Sequence, residues 1–374
     1  MGSGILFGLA FVAKQHGIFF VLFGLSYLSW IDWRTRSASG GRFLRRVTAF
    51  AAGAIAPFAA TAFILLIAGV FGKFWFLTFT YAREYVSQAT LAEGLKLFLI
   101  SVQHVIGPVS LLWTLAGFGS LALFGERGRS VAFVLSLLVF SLLSISPGLC
   151  FRLHYFVQVL PVAALLIGVA MRSLGQVLAR VGLPVALQRG IPCLLILTAC
   201  YVVVSDLGDY LFHLSPPAAS RVVFVENPFP ESVQIGEYIR QRTKPEARIA
   251  VLGSEPQVFF YARRHSASGY IYMYELMEKH KYALTMRQEM IAEIEAAKSE
   301  YLVFVNVAMS WMKRPDPKKF IVDWYRQYAQ DYYDLVGVVD IVSMERTEYR
   351  WAEQAKNYRP RSPHFVLVHK RKTA

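Results

Sequence analysis

The chain has 374 residues, 55% of them hydrophobic and 17% charged, with a formal net charge of +14. That is too apolar for an ordinary water-soluble domain. Cys150, Cys193 and Cys200 all lie in or beside apolar segments, which excludes a disulfide framework and a zinc-ligand spacing. The basic excess sits mostly in short loops between apolar runs, which is the pattern of cytoplasmic loops of a membrane protein rather than of a nucleic-acid-binding stripe.

Residues 1–212 hold every long apolar run, with 15 Lys and Arg against 6 Asp and Glu, whereas residues 213–374 hold 24 against 19. The expected fold class is a polytopic α-helical membrane domain over 1–212 followed by a soluble α/β domain over 213–374. Met1-Gly2-Ser3-Gly4 opens directly into an apolar stretch with no basic region before it. It does not look like a signal peptide, and the expectation is a cut or a misplaced start inside a longer membrane protein.

Six spans are predicted, at 17–30 (with 3–13 leading into it), 47–71, 95–124, 130–148, 154–171 and 190–212. The stretch 3–13 is too short to cross alone. Lys14-Gln15-His16-Gly17 interrupts it, so a re-entrant hairpin broken at these residues is expected, with its irregular backbone buried or lining a cavity. Arg34, Arg36, Arg42, Arg45 and Arg46 mark the loop 31–47. Arg127 and Arg129 mark 125–129, and Arg172, Arg180 and Arg189 mark 172–189. These loops alternate correctly with the spans and are assigned to the cytoplasm, so Ser39 is expected inside. The loops 72–94 and 149–153 and everything after Phe212, Ser343 included, are expected outside, in the periplasm or beyond the cell.

In the soluble part, helix signals at 230–243, 282–299 and 318–332 alternate with strand signals at 248–253, 301–307, 333–342 and 364–369. The alternation predicts a small, mostly parallel sheet. "VLGSEP" follows a strand, but a single Gly is far short of a dinucleotide fingerprint, so a βα turn is expected. Arg263, Arg264 and His265 are read as a solvated charge run. Trp324, Tyr325 and Tyr328 have the helical spacing of core residues.

The informative residues are polar groups at or beside the membrane. On this topology Lys14, Gln15, His16, Arg83, Glu84, Gln103, His104, Arg152 and His154 all fall in the outer half or the outer loops, while the cytoplasmic half of the spans is nearly free of charge. Ionisable side chains at membrane depth face a cavity or each other. Several cations on one outer cavity suit a phosphate or diphosphate at the membrane surface. The plain alternative is that Lys14 and Arg152 reach for headgroups and His104 is a core histidine.

"GILFGLAFVAKQHGIFF" at 4–20 resembles the Gly-rich hairpin of GT-C type membrane glycosyltransferases, the group related to protein mannosyltransferases. "FRLHYFVQVLPVAALL" at 151–166 is similar to the helix start of the same family, where Arg or His followed by Tyr precedes an apolar stretch. "NPFPESVQIGEYI", "VLGSEPQVFFYARRHSA" and "SW" look like a bacterial branch of it. The resemblance implies a polyprenyl phosphate sugar donor and a glycan, lipid or protein acceptor on the outer face of a cell-envelope membrane. It implies substrate-binding roles near the donor phosphate for Lys14, His16, Arg83, His104, Arg152, His154 and Tyr155. It leaves open whether a divalent metal takes part.

The family's acidic pair in its first outer loop has no counterpart in this membrane half, where the acids are Asp32, Glu84, Glu93, Glu126, Asp206 and Asp209. The chemistry needs a carboxylate to take the acceptor's proton or hold a metal. Either the chain is the later part of such an enzyme and inactive alone, or Glu84, the outer-loop acid placed for that role, stands in, with an ion pair to Arg83 as its alternative. The rival functions are a non-enzymatic membrane partner or transporter of lipid-linked glycans, and an incomplete, inactive chain.

Overall fold

The computed structural model describes residues 1–35, 40–86, 90–125, 128–313 and 315–373. Arg36, Ser39, Glu126 and Arg127 lie outside the described residues. The chain divides into two compact units, Met1–Gly208 and Asp209–Ala374. The division precedes the expected boundary at 212, because the turn Asp209–His213 belongs to the second unit.

The first unit is helical. It runs through α1 (Gly2–Ala13), α2 (Ile18–Thr35), α3 (Gly40–Ile67), α4 (Phe71–Trp75), α5 (Tyr81–Val86), α6 (Leu91–Ile106), α7 (Ser110–Leu123), α8 (Arg129–Ser144), α9 (Leu160–Arg180) and α10 (Val185–Asp206). Among the described residues four stretches are long and apolar enough to cross a membrane: Gly41–Ile67, Leu91–Leu123, Leu153–Arg180 and Val185–Asp206. Length and composition thus support four of the expected six spans, those at 47–71, 95–124, 154–171 and 190–212. Helix α8 has 16 residues, or about 24 Å at 1.5 Å per residue, less than a hydrocarbon core of about 30 Å. The predicted 17–30 span is the first part of α2, whose end carries Asp32 and Arg34. Within Leu91–Leu123 a 3₁₀ turn at Gly107–Val109 separates α6 from α7. Pro108 sits there because it cannot donate to a helical ladder.

Small residues set the helix packing. A Cβ at Gly4 would lie 2.2 Å from the Phe50 carbonyl oxygen, and one at Gly8 would lie 2.3 Å from that of Ala54. The Gly-xxx-Gly pair therefore lays the backbone of α1 directly on α3, the close approach that drives helix association in lipid. At Lys14 the backbone is extended, and a 3₁₀ turn at Gln15–Gly17 reverses the chain. Phe7 on α1 then meets Phe23 on α2, and Gly17 rests on the Ala10 carbonyl. This is a helical hairpin with its break at Lys14-Gln15-His16-Gly17.

Helix α2 runs antiparallel to α8. The Tyr27 hydroxyl donates to the Arg129 carbonyl (3.3 Å), and Phe23 packs on Phe133 and Phe140. The end of α8 is thereby brought to the same end of the bundle as the hairpin break. A π-helical turn at Phe76–Thr80 precedes α5. It reaches this end too, because Gln15 Nε2 donates to the Thr78 carbonyl at 2.6 Å. The core of the unit lies beneath, where Ala116, Val134, Ile145, Tyr155, Phe156, Val159, Val162 and Leu166 pack together.

The second unit holds α11 (Pro216–Phe224), α12 (Phe229–Arg240), β1 (Arg248–Leu252), α13 (Gln257–Ala262), β2 (His265–Ser266), α14 (Tyr274–Met277), α15 (Ala283–Ala297), β3 (Tyr301–Asn306), α16 (Pro315–Tyr332), β4 (Tyr333–Ile341), β5 (Thr347–Trp351), α17 (Glu353–Lys356) and β6 (Phe365–Arg371). The sheet order is β2-β1-β3-β6-β4-β5. Only β1–β2 and β1–β3 are parallel, while β3–β6, β6–β4 and β4–β5 are antiparallel. The expected mostly parallel sheet is therefore corrected to a mixed one. The crossover helix α16 does leave β3 for β4, but β6 returns from the far end of the chain and inserts between them. Ile249, Val251, Val303, Val305, Val366 and Val368 form one face of the sheet and bury Ile235 and Ile239 of α12.

Candidate functional site

The hairpin break and the segment after α8 build one cluster. The turn at Pro147–Leu149 needs Gly148 at φ 72°, a conformation glycine adopts without steric cost. The chain stays irregular through Leu149 and Phe151, both at positive φ, becomes extended at Arg152 and enters a 3₁₀ segment, Leu153–Val159, that leads into α9. Tyr155 is the buried centre, with 8% of its surface exposed. The Lys14 ammonium lies over its ring face, 4.0 Å from the centroid. His16 and His154 meet the ring edgewise, at centroid distances of 4.7 and 4.6 Å. Arg152 lies within electrostatic range of both Lys14 and His154. Gln158, one turn after Tyr155, brings its amide nitrogen to 3.4 Å from His16 Nδ1, and the Ser144 backbone lies beside the same imidazole.

Lys14, His16, Arg152, His154 and Tyr155 are thus together, although 135 or more residues separate the two stretches. Lys14 and His154 are exposed, Arg152 and His16 half-buried. The open side of the cluster presents an ammonium, a guanidinium and an imidazole. Such a set offers a phosphate several charge-assisted donors, each worth about 1.5–3 kcal/mol.

The other expected site residues lie differently. Arg83 is exposed and Glu84 half-buried on α5, which packs against the Pro147–Leu149 turn. They occupy the same end of the bundle, one element away from Tyr155. His104 is exposed on α6 and its Nδ1 bonds the Ile100 carbonyl at 2.8 Å, four residues back on its own helix. It is not among the groups that meet at Tyr155. Among the described residues no three His, Cys, Asp or Glu side chains are grouped to hold a metal ion. Gln158 was missed by sequence reasoning, because one amide in an apolar helix start carries no motif.

In the second unit the turn after β1 keeps its polar groups for itself. The Ser254 amide donates to Ser310 Oγ, Ser254 Oγ donates to the Ser310 carbonyl, and Ser310 Oγ donates to Glu255 (2.8, 2.7 and 2.8 Å). Arg264 is buried and donates to the Arg240 and Thr243 carbonyls, which makes it an internal brace rather than a solvated charge. Tyr325 and Tyr328 are on the buried face of α16, while Trp324 on the same helix is half-buried and donates to Glu295. A groove of about 990 Å³ runs between α16 and the sheet, with Lys318 and Arg326 on one wall and Phe365, Leu367 and His369 in the floor.

No known protein family matches the chain, and no curated protein matches it.

Proposed function

We propose that this protein is a membrane glycosyltransferase that takes a sugar from a polyprenyl phosphate carrier and transfers it to an acceptor hydroxyl at the outer face of the membrane. The supporting observation is the meeting of Lys14, Arg152 and His154 at one end of an apolar helical bundle, around Tyr155. Cations are costly beside hydrocarbon, and a phosphate of a lipid carrier is a ligand that repays them. In the reaction the acceptor oxygen forms a bond to the anomeric carbon, the carbon–oxygen bond to phosphate breaks, and its electron pair leaves with the lipid phosphate. The configuration at that carbon inverts. Lys14, Arg152 and His154 hold the charge that develops on the leaving group. Glu84, on α5 beside the Pro147–Leu149 turn, takes the hydroxyl proton. A transporter of lipid-linked glycans would need polar groups through the whole depth of the bundle, and the core beneath the cluster is apolar.

The test is binding of a polyprenyl phosphate to the purified chain in nanodiscs. Lys14→Ala should weaken it by roughly tenfold or more, the effect of losing one charge-assisted hydrogen bond. Arg152→Lys should weaken it as well, because the planar fork is lost while the charge stays. Unchanged affinity in both variants would reduce these residues to headgroup anchors. The topology has its own check. With the three native cysteines replaced, Ser39→Cys should react with a membrane-impermeant thiol reagent only from the cytoplasm and Ser343→Cys only from outside. Labelling of both from one side would overturn the outward-facing site.

A further inference from the structure

Tyr155 stands apart from the other members of the cluster because three of them are built onto it. Its ring face carries the Lys14 ammonium, and the rings of His16 and His154 stand against it in T-shaped contacts. The ring itself is buried, wedged against Phe156, Val159 and Val162 in the core of the unit. It is the fixed object, and the exposed cations are arranged on it.

His16 is held from further sides. Gln158 Nε2 reaches its Nδ1, and the Ser144 backbone lies beside the same imidazole. A neutral imidazole has one donor and one acceptor nitrogen. With the Gln158 amide on Nδ1 and the Tyr155 ring against it, His16 is engaged by the protein's own groups. Its place is at the break of the hairpin, two residues after Lys14, where the backbone leaves the helical conformation. A break of this kind leaves backbone groups unpaired, and its direction is set by whatever side chains pin it.

Together these contacts form a bolt between two distant parts of the chain. We propose that Tyr155 and Gln158 are positioning residues that fasten the Lys14–Gly17 break to the start of α9 and so set where Lys14 stands, with His16 as the bolted part and not a ligand of the phosphate. The inference rests on the phosphate-site reading for its consequence, but the bolt itself is a property of the ligand-free chain. Lys14 then meets the phosphate from a prepared position, over a ring that attracts its charge without neutralising it. A lysine on an unpinned break would sweep a wide volume and lose that preparation.

The experiment is acylation of Lys14 by a small amine-reactive reagent in the full chain in nanodiscs, followed by mass spectrometry, with and without polyprenyl phosphate. In the ligand-free chain Tyr155→Leu should speed acylation of Lys14 several-fold, and Gln158→Leu should do so to a lesser degree. Tyr155→Phe keeps the ring under Lys14 and should acylate Lys14 more slowly than Tyr155→Leu does. Tyr155→Leu should lose roughly tenfold in affinity. Equal acylation in wild type, Tyr155→Leu and Gln158→Leu would overturn the bolt, and so would a Tyr155→Phe variant that behaves as Tyr155→Leu does. If Tyr155→Leu does not fold, Gln158→Leu against Tyr155→Phe carries the comparison. A wild-type chain that binds no polyprenyl phosphate would sink the proposed function, while the ligand-free acylation rates would still decide on Tyr155 and Gln158.

Discussion

Arg221→Met is expected to destabilise the second unit by about 3–5 kcal/mol, the cost of removing one partner of a buried ion pair. Arg221 on α11 and Glu231 on α12 are 7% and 1% exposed and bond each other directly. The guanidinium also donates to the carbonyls of Val225 and Asn227 (both 3.1 Å), and Thr347 on β5 donates to the same Glu231 oxygen. One arginine therefore satisfies a carboxylate and the carbonyls that follow α11, and ties two helices to the edge strand. Without it Glu231 is left with the Thr347 hydroxyl, since its other oxygen has no hydrogen-bond partner among the described residues. The measurement is hydrogen exchange of the α12 amides in the full chain. The double variant Arg221→Met with Glu231→Gln should recover much of the loss, because the stranded charge, rather than the lost attraction, is the larger part of the cost. A single variant no weaker than the double would refute this account.

What was legible in the sequence followed from short-range physics. The strands β1 and β3 are unbroken apolar runs buried on both faces. Runs of that kind read as interior strands. The hairpin break was legible because Lys-Gln-His-Gly interrupts an apolar stretch that is otherwise featureless. β5 was missed for a physical reason. Thr347–Trp351 reads Thr-Glu-Tyr-Arg-Trp, with two charges in five residues. Glu348 is nonetheless buried, because Arg346, Arg350 and the Tyr358 hydroxyl gather on it. Arg346 and Arg350 stand two residues either side of Glu348, and such an alternation of opposite charges reads as a solvated segment; the Tyr358 hydroxyl, ten residues on, reaches it from further along the chain. The sheet's mixed sense was illegible too. Nothing in "HFVLVH" states that β6 will insert between β3 and β4 instead of extending an edge.

The candidate site shows the same division. That Lys14, Arg152 and His154 belong at one end of the bundle follows from span counting. That Lys14, His16 and His154 share one aromatic ring does not, since it depends on the angle at which the hairpin turns and on Gly148 reversing the chain after α8. His104 was placed in the set by depth alone. Depth fixes height along a helix but not the face, and α6 turns His104 away to an exposed position.

The second unit should lose stability as pH rises from about 6.5 to about 8, by roughly 1.4 kcal/mol per pH unit. The cause is Glu255, 1% exposed after β1, whose carboxyl burial pushes up to about 8 from the ordinary 4.5, against a weaker opposing bond from Ser310. Below the unfolded value both states carry the proton and the group's contribution is fully present. Between the two values the unfolded chain releases the proton while the folded one keeps it, so stability falls with rising pH until the folded group also ionises. His369 acts in the other direction. Burial lowers it to about 4 from 6.5, so it removes stability as pH falls through that range. From about 4.5 to 6.5 the two slopes oppose each other, and above 6.5 Glu255 acts with no counterweight from His369. Exchange of the β3 amides, corrected for intrinsic rates, reads the effect in the full chain. Glu255→Gln keeps an oxygen to accept from Ser310 Oγ and has no proton to lose, so its stability should be nearly level from pH 6.5 to 8 and above that of the wild type at pH 8. A wild-type protein with no slope in that window, or a Glu255→Gln variant with the same slope, would mean that Glu255 is ionised in the folded state and that its burial is compensated in another way.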